Sequence, residues 1–122
     1  MRILIVDDDV SVLELLDELL RTEGHEIQTA LDGKEALAIL QKFSFDLIIS
    51  DINMPRLNGI EFGYQLREVD TSTPILFFSA VSNGAVTYAN EVQKIGNANF
   101  IEDKNFDHLL DTIRETRQNE GI

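Results

Sequence analysis

Residues 46–55 read DLIISDINMP, in which an unbroken apolar run at 47–49 is followed by Ser50 and Asp51. A short run of Leu and Ile without alternation is typical of a strand that is covered on both faces of a parallel sheet. Polar residues directly after such a strand lie at its carboxyl end, which is the edge where open α/β sheets carry their chemistry. This stretch therefore predicts a central parallel strand with a carboxylate at the functional edge of a sheet.

Four further runs have strand character. They lie at residues 3–6, 25–29, 75–78 and 98–101. The runs at 3–6 and 75–78 are continuous in Ile, Leu, Val or Phe and suit central strands. The run at 25–29 alternates between polar and apolar residues, which predicts an edge strand.

The segments between these runs have helical period. In the first segment, the apolar residues predicted to share one buried face are Val12, Leu15, Leu16, Leu19 and Leu20. Ser11 and Glu14 have capping-box spacing at its start, and Gly24 is the predicted stop. Further helices are predicted at about 34–42, 60–69, 84–95 and 106–117, the last with Leu109, Leu110 and Ile113 turned inward.

Five alternating βα units predict an α/β fold with an open, doubly wound, five-stranded parallel sheet and helices on both faces. A closed barrel of this type needs eight such units. No Pro- or Gly-rich linker interrupts the 122 residues. We therefore expect a single domain over residues 1–122, without an output domain.

The composition narrows the functional classes. The net charge is −12, from 22 acidic and 10 basic residues, which disfavours direct binding of nucleic acid or of an anionic membrane. No apolar run approaches the roughly 20 residues of a membrane-spanning helix. The absence of cysteine excludes disulfides and thiolate chemistry and fits a cytoplasmic protein.

The polar residues that directly follow the predicted strands form one candidate site. They are Asp7, Asp8 and Asp9 after the first run, Ser50 and Asp51 after the third, Ser79 after the fourth and Lys104 past the fifth. With the first and third strands side by side, the carboxylates of Asp7, Asp8 and Asp51 are expected to lie close together. Asp9 and Asp32 are instead interpreted as helix caps or turn formers.

This set of side chains indicates phosphoryl chemistry. Carboxylates in close contact raise one another's pKa, and a hard divalent cation resolves that conflict. All-oxygen ligation favours Mg²⁺, with Mn²⁺ as an alternative. A carboxylate can also act as the nucleophile that forms an aspartyl-phosphate, whose charge a metal, a lysine and a serine hydroxyl would neutralise.

The motif IVDDD at residues 5–9 and the stretch 46–55, followed by Gly59, together resemble the receiver domain of two-component response regulators. The resemblance covers essentially the whole chain and implies a flavodoxin-like (βα)5 sheet of strand order 2-1-3-4-5. By position, Asp51 matches the phosphoacceptor. Asp8 matches the direct Mg²⁺ ligand, and Asp7 matches its neighbour, which acts through metal-bound water.

Three more residues match functional positions of that family. Asn53 matches the residue whose backbone carbonyl completes the protein ligands of the metal. Ser79 matches the residue that hydrogen-bonds the phosphate, and Lys104 matches the phosphate-binding lysine. Residues 54–55 and Gly59 resemble the loop that shapes the site, where Gly59 is interpreted as a permissive turn residue.

The fifth strand departs from the family pattern. Residues 100–106 read FIEDKNF, with one extra residue between Phe100 and Lys104 and with Asn105 where the family has proline. Lys104 on a small bulge is preferred as the phosphate-binding residue, because a strict alignment would place Asp103 there. Phe100 is either a switch aromatic that turns inward when the serine engages phosphate or an ordinary core residue.

Other residues receive simpler interpretations. The segment 79–96 is about two residues longer than is usual in the family, with a turn-like cluster at 82–84. By the same resemblance, Val81 matches a position that tunes attack of water on the phosphoryl group, and an apolar residue there is expected to slow that attack. His25 and His108 are predicted to be exposed surface residues.

The resemblance implies a signalling switch and not a turnover enzyme. In a two-component phosphorelay, a sensor histidine kinase or a histidine phosphotransfer protein would phosphorylate Asp51 in a Mg²⁺-dependent reaction. The phosphoprotein would then change the face formed by the fourth helix, fifth strand and fifth helix, which would bind a downstream protein target. Two alternatives are a phosphorylation-independent interaction module, favoured by the departures near Lys104, and a small Mg²⁺-dependent phosphohydrolase, disfavoured by the lack of a cap insertion.

Overall fold

Five strands form one sheet in the computed structural model, which describes residues 1–54, 56–79, 85–101 and 105–120. The strands are β1 (Arg2–Val6), β2 (Glu26–Ala30), β3 (Leu47–Ser50), β4 (Ile75–Phe78) and β5 (Ala98–Ile101). They pair in the order β2-β1-β3-β4-β5, and each pairing is parallel. This confirms the doubly wound, flavodoxin-like sheet and its predicted strand order.

Five helices lie in the same described ranges. They are α1 (Val10–Thr22), α2 (Gly33–Leu40), α3 (Gly59–Arg67), α4 (Ala85–Ile95) and α5 (Phe106–Glu120). The second and third helices each begin one residue earlier than predicted, because Asp32 and Asn58 cap them by accepting hydrogen bonds from backbone amides three residues ahead. Among the described residues, no helix is long and apolar enough to cross a membrane.

The sheet is buried on both faces because alternate residues of its central strands enter two apolar clusters. On one face, Val6 and Ile48 pack with buried residues of α2, α3 and α4. On the other face, Ile5 and Ile49 pack with buried residues of α1 and α5. The strand β2 is only partly buried along its length, which confirms its prediction as an edge strand.

The start of α1 distinguishes between its two candidate caps, Asp9 and Ser11, and its buried face differs from the sequence prediction. Asp9, and not Ser11, is the N-cap, since its carboxylate accepts a hydrogen bond from the Ser11 amide at 2.9 Å. Leu15 is 43% exposed, and the buried positions are Leu13, Leu16 and Leu20. Apolar residues occur on several faces of this helix, so the sequence alone left the inward face ambiguous. The predicted stop is confirmed, because Gly24 follows the helix with a left-handed φ of 93°.

His25 is buried, so its prediction as a surface residue is wrong. The residue is 7% exposed, and its Nδ1 lies 3.0 Å from the terminal nitrogen of Met1. The Glu26 amide donates to the Met1 carbonyl at 2.9 Å, so the residue next to His25 is bonded to the same residue whose terminal nitrogen His25 contacts. His108 on α5 is exposed, as predicted.

Arg67, at the end of α3, ties together the edge of the sheet that is opposite the carboxyl ends of the strands. Its guanidinium donates to the backbone carbonyls of Asp70, Thr73, Gly96 and Asn97. The Asp70 carboxylate in turn accepts hydrogen bonds from the amide and hydroxyl groups of Ser72 and Thr73. These contacts fix the turns that lead into β4 and β5.

The Asp70 carboxylate provides a pH test of this network. Burial would raise its pKa, but the hydrogen bonds from Thr73 and Ser72 outweigh burial and lower the pKa from 3.8 to about 2. A carboxyl group with a lowered folded-state pKa stabilises the fold fully above its unfolded-state pKa and loses that contribution as the pH falls through the folded-state value. We therefore expect Asp70→Asn to lower the free energy of unfolding at neutral pH, with a difference that shrinks as the pH falls from about 4 towards 2.

Urea unfolding curves of both proteins across that pH range measure the difference. A difference in the free energy of unfolding that does not change with pH would contradict the assignment of this charge to the network.

Candidate functional site

The pairing of β1 with β3 places their carboxyl ends side by side. Val6 and Ser50 are partners in the register, and the Asp51 amide donates to the Val6 carbonyl at 2.8 Å. On the other side of β1, the Asp7 amide donates to the Ala30 carbonyl at 3.1 Å. The residues that follow β1 and β3 are therefore held by the same ladder that forms the sheet.

Three carboxylates meet at this edge, as the sequence predicted. Asp7, Asp8 and Asp51 each offer a carboxylate oxygen, and these oxygens lie within 4.8 Å of one another. Asp7 and Asp51 are buried, whereas Asp8 is exposed. This all-oxygen set, with two members withdrawn from water, fits a small hard divalent cation better than it fits imidazole- or thiolate-binding metals.

Asp9 does not belong to that cluster and has the capping role that was predicted for it. Its side chain caps α1, while its backbone amide donates to Oδ1 of Asp7 at 2.9 Å. The three consecutive aspartates thus divide their roles. The first two present carboxylates to the site, and the third begins the helix and orients the Asp7 carboxylate.

Two donors within the described part of the chain orient the Asp51 carboxylate. Its Oδ1 accepts hydrogen bonds from the Ile52 amide at 2.8 Å and from the Ser79 hydroxyl at 2.7 Å. Ser79 follows β4, is 2% exposed and reaches Asp51 across the neighbouring strand end. The hydrogen bond between Ser79 and Asp51 therefore agrees with the prediction that the serine after β4 lies in the same site.

The close approach of α3 to the site explains Gly59. A Cβ atom at this position would lie 2.1 Å from the Asp51 carbonyl oxygen and 2.9 Å from the Ile52 Cα. The Gly59 amide also donates to the Ile52 carbonyl at 2.8 Å. Its interpretation as a permissive turn residue is wrong: the glycines with a positive φ in the described residues are Gly24 and Gly96, and what Gly59 provides is space.

The remaining predicted residues fall into two groups. Asn53 is exposed in the loop between β3 and α3, two residues after Asp51. Phe100 is half-buried and packs against the apolar cluster that includes residues of α2, α3 and α4. This position is compatible with a switch aromatic and with an ordinary core residue. Lys104 lies outside the described residues, and so do Asp103, Pro55, Val81 and the segment 82–84.

One contact of this loop was missed by the sequence reasoning. Asp32, correctly predicted as a helix cap, also forms an ion pair with Arg56, which lies five residues after Asp51. Arg56 has a left-handed φ of 66°. No local pattern relates two residues 24 positions apart, so the tertiary structure was needed to find this pair.

The comparison with known families agrees with this geometry. Residues 3–114 match the family described as response regulator receiver domain. The chain belongs to this family. It is a receiver domain of the type found in two-component response regulators, as the motifs at 5–9 and 46–55 indicated.

Two solved structures illustrate the likeness of this receiver domain to its relatives. The chemotaxis protein CheY4 of Vibrio cholerae has a TM-score of 0.85 and 35% identity, with 93% of this chain and 96% of that chain covered. The response regulator TrrA of Thermotoga maritima, solved in complex with Mg(2+)-BeF, has a TM-score of 0.80 and 33% identity over the same shares, 93% and 96%.

A curated relative is longer than this receiver domain. The transcriptional regulatory protein PrrA of Mycobacterium leprae is 44% identical over 82 residues, which make up 67% of this chain and 35% of PrrA. The matched region thus spans about a third of that relative, and the single-domain organisation expected over residues 1–122 stays a prediction.

Substitution of Gly59 tests the close approach between α3 and the Asp51 backbone. We expect Gly59→Ala to lower the free energy of unfolding by about 3 kcal/mol, because the added methyl group meets backbone atoms that cannot turn away. Gly63→Ala on the same helix is the matched control. Its Cβ would meet the Ile95 side chain at 2.8 Å, which can change rotamer, so we expect a smaller loss.

Chemical unfolding of the three proteins measures both effects. Equal losses for the two alanine variants would contradict a special backbone constraint at Gly59.

Proposed function

We propose that this receiver domain accepts a phosphoryl group on Asp51, beside a Mg²⁺ ion held by Asp7 and Asp8, and that the modified protein signals to a protein partner. The observation that carries the proposal is the meeting of three carboxylates within 4.8 Å at the ends of β1 and β3. A fold that needed only stability would gain nothing from gathering three acidic side chains at a partly buried edge, because like charges repel one another.

The phosphoryl donor in this proposal is a phosphohistidine of a sensor histidine kinase or of a histidine phosphotransfer protein. A carboxylate oxygen of Asp51 attacks the phosphorus atom, so that an O–P bond forms while the N–P bond of the donor breaks. The electron pair of that bond stays on the imidazole nitrogen of the donor. The product is a mixed anhydride on Asp51, and no external substrate is turned over.

The surrounding residues have distinct parts in this step. A bound Mg²⁺ would neutralise charge on the phosphoryl oxygens, and Mn²⁺ would suit the same oxygen ligands. Asp7 and Asp8 would hold it, together with Asp51 and the backbone carbonyl of Asn53. The Ile52 amide and the Ser79 hydroxyl hold the Asp51 carboxylate in one orientation before the reaction.

Ser79 links the modification to the rest of the fold. Its hydroxyl now donates to Oδ1 of Asp51, and we propose that it donates to a phosphoryl oxygen after modification. This change of hydrogen-bond partner would alter β4 and its neighbour β5. It would thereby alter the proposed output face of α4, β5 and α5. Lys104 is proposed as the cationic partner of the phosphate, from its place in the sequence after β5.

The wider role follows from these assignments. We propose a cytoplasmic signalling component that acts through proteins and not through direct contact with nucleic acid or membrane, which the net charge of −12 favours. A phosphorylation-independent module is disfavoured, because such a module would not need the three converging carboxylates.

Phosphorylation of the purified protein tests the assignment of Asp51. We expect incubation with acetyl phosphate and Mg²⁺ to add one phosphoryl group, seen by intact mass spectrometry and lost on treatment with hydroxylamine, which cleaves acyl phosphates. Omission of Mg²⁺ or the change Asp51→Asn should abolish the added mass. Modification that persists in Asp51→Asn would refute the proposed acceptor.

Metal titration separates the roles of the three consecutive aspartates. We expect Asp7→Asn and Asp8→Asn each to weaken Mg²⁺ binding by about tenfold or more, because each loses a charged oxygen ligand or the partner of a metal-bound water. Asp9→Asn is the matched control, since an asparagine oxygen can still cap α1. Calorimetric titration should show nearly unchanged affinity for this variant, and an equal loss in all three would argue for general electrostatic attraction instead of ligation.

A further inference from the structure

Asp32 is a buried carboxylate that lies outside the metal cluster. Its side chain is 2% exposed at the start of α2, where one oxygen accepts a hydrogen bond from the Glu35 amide at 2.9 Å. The other oxygen pairs with the Arg56 guanidinium. The Glu35 amide, opposed by burial and assisted by Arg56, keeps the pKa of Asp32 below its ordinary value, so the group is charged at neutral pH.

Capping alone does not account for this arrangement. An N-cap needs a single side-chain oxygen, and an uncharged asparagine or serine would serve equally well. Arg56 reaches Asp32 from a residue with a φ of 66°, a conformation that an L-residue with a side chain adopts only at a cost. Glycine would adopt this φ at less cost, whereas arginine adds an ion pair with Asp32 that glycine cannot form.

A second contact lies beside the first and joins the same two segments. Leu57 is buried, and its Cδ2 and carbonyl oxygen would lie 3.0 and 3.1 Å from a Cβ atom placed on Gly33, the first residue of α2. The loop between β3 and α3 therefore rests on the start of α2 through two consecutive residues, Arg56 and Leu57.

This loop is the one that carries Asn53. Its two ends are held by the β1–β3 ladder at Asp51 and by the close approach of Gly59 to the backbone. Its second half contacts α2 through Arg56 and Leu57. The helix α2 thus touches the loop that carries Asn53, although α2 itself contributes no carboxylate to the cluster among the described residues.

We infer that the Asp32–Arg56 ion pair is a positioning device that holds the loop between β3 and α3 in the geometry needed to bind the metal through Asn53. The inference rests on the proposed Mg²⁺ site and adds two residues that act through the loop, without touching the metal or the phosphoryl group. Partners of this kind commonly change metal affinity when they are removed, because the ligand keeps its identity but loses its orientation.

Two single substitutions test the pair and leave other contacts in place. Asp32→Asn keeps an oxygen for capping α2 but removes the charge. Arg56→Gly removes the guanidinium and tolerates the left-handed φ. If the pair positions the loop, both variants should bind Mg²⁺ about tenfold more weakly in calorimetric titrations, and Arg56→Lys, which keeps the charge, should recover part of the loss.

Because the two residues carry opposite charges, the two variants distinguish a loss of loop positioning from a long-range electrostatic effect on the metal. Loss of a negative charge would weaken cation binding through the field alone, whereas loss of a positive charge would strengthen it. Weaker binding in both variants supports the inference. Affinities that shift in opposite directions, or that stay equal to that of the unmodified protein, would overturn it.

A measurement without metal distinguishes a failure of this inference from a failure of the proposed function. Amide hydrogen exchange of the Mg²⁺-free protein should be faster in both variants at the Gly59 amide, which closes the loop by donating to the Ile52 carbonyl, and should change less in the central strands β1 and β3. Asp70→Asn, placed at the opposite edge of the sheet, controls for general destabilisation and should leave both the loop exchange and the Mg²⁺ affinity unchanged. Unchanged loop exchange would overturn the positioning role, whereas failure of the unmodified protein to bind Mg²⁺ would count against the proposed site itself.

Discussion

The functional edge of this protein depends on the parallel pairing of β1 with β3. These strands are separated in sequence by β2 and two helices, yet the register aligns Val6 with Ser50 and so brings the residues after each strand together. The cost is the repulsion among three carboxylates within 4.8 Å. Burial of the central strands on both faces of the sheet offsets this repulsion. The packed strands keep the three carboxylates together, although they repel one another.

A second constraint acts on the loop between β3 and α3. Gly59 allows the helix to approach the Asp51 carbonyl, and Arg56 and Leu57 attach the second half of the loop to the start of α2. The phosphoacceptor candidate is thus on a rigid strand end, while the loop beside it is held by side chains from a different βα unit. Such supports matter because a ligand set needs orientation as well as composition.

The sequence predicted the fold well because each central strand is a continuous apolar run and each helix has an amphipathic period. It predicted Asp7, Asp8, Asp51 and Ser79 as neighbours, since strand ends converge in any open parallel sheet. It was wrong where a local pattern admitted more than one solution. Leu13 faces inward in place of Leu15, Ser11 is not the cap that its spacing with Glu14 suggested, and His25 is buried against the start of the chain.

The sequence by itself determined the class of fold, the residue types at the functional edge and the family, because hydrophobic period and short motifs are local properties of the chain. Only the tertiary structure decided why position 59 is glycine, which face of α1 turns inward and that Asp32 pairs with Arg56. Each of these depends on distances between segments that only the folded chain brings into contact. Such distances are set by packing, which no local pattern encodes. The sequence was enough to predict Asp7, Asp8 and Asp51 as the acidic residues of the site, but not the contacts that hold them in place.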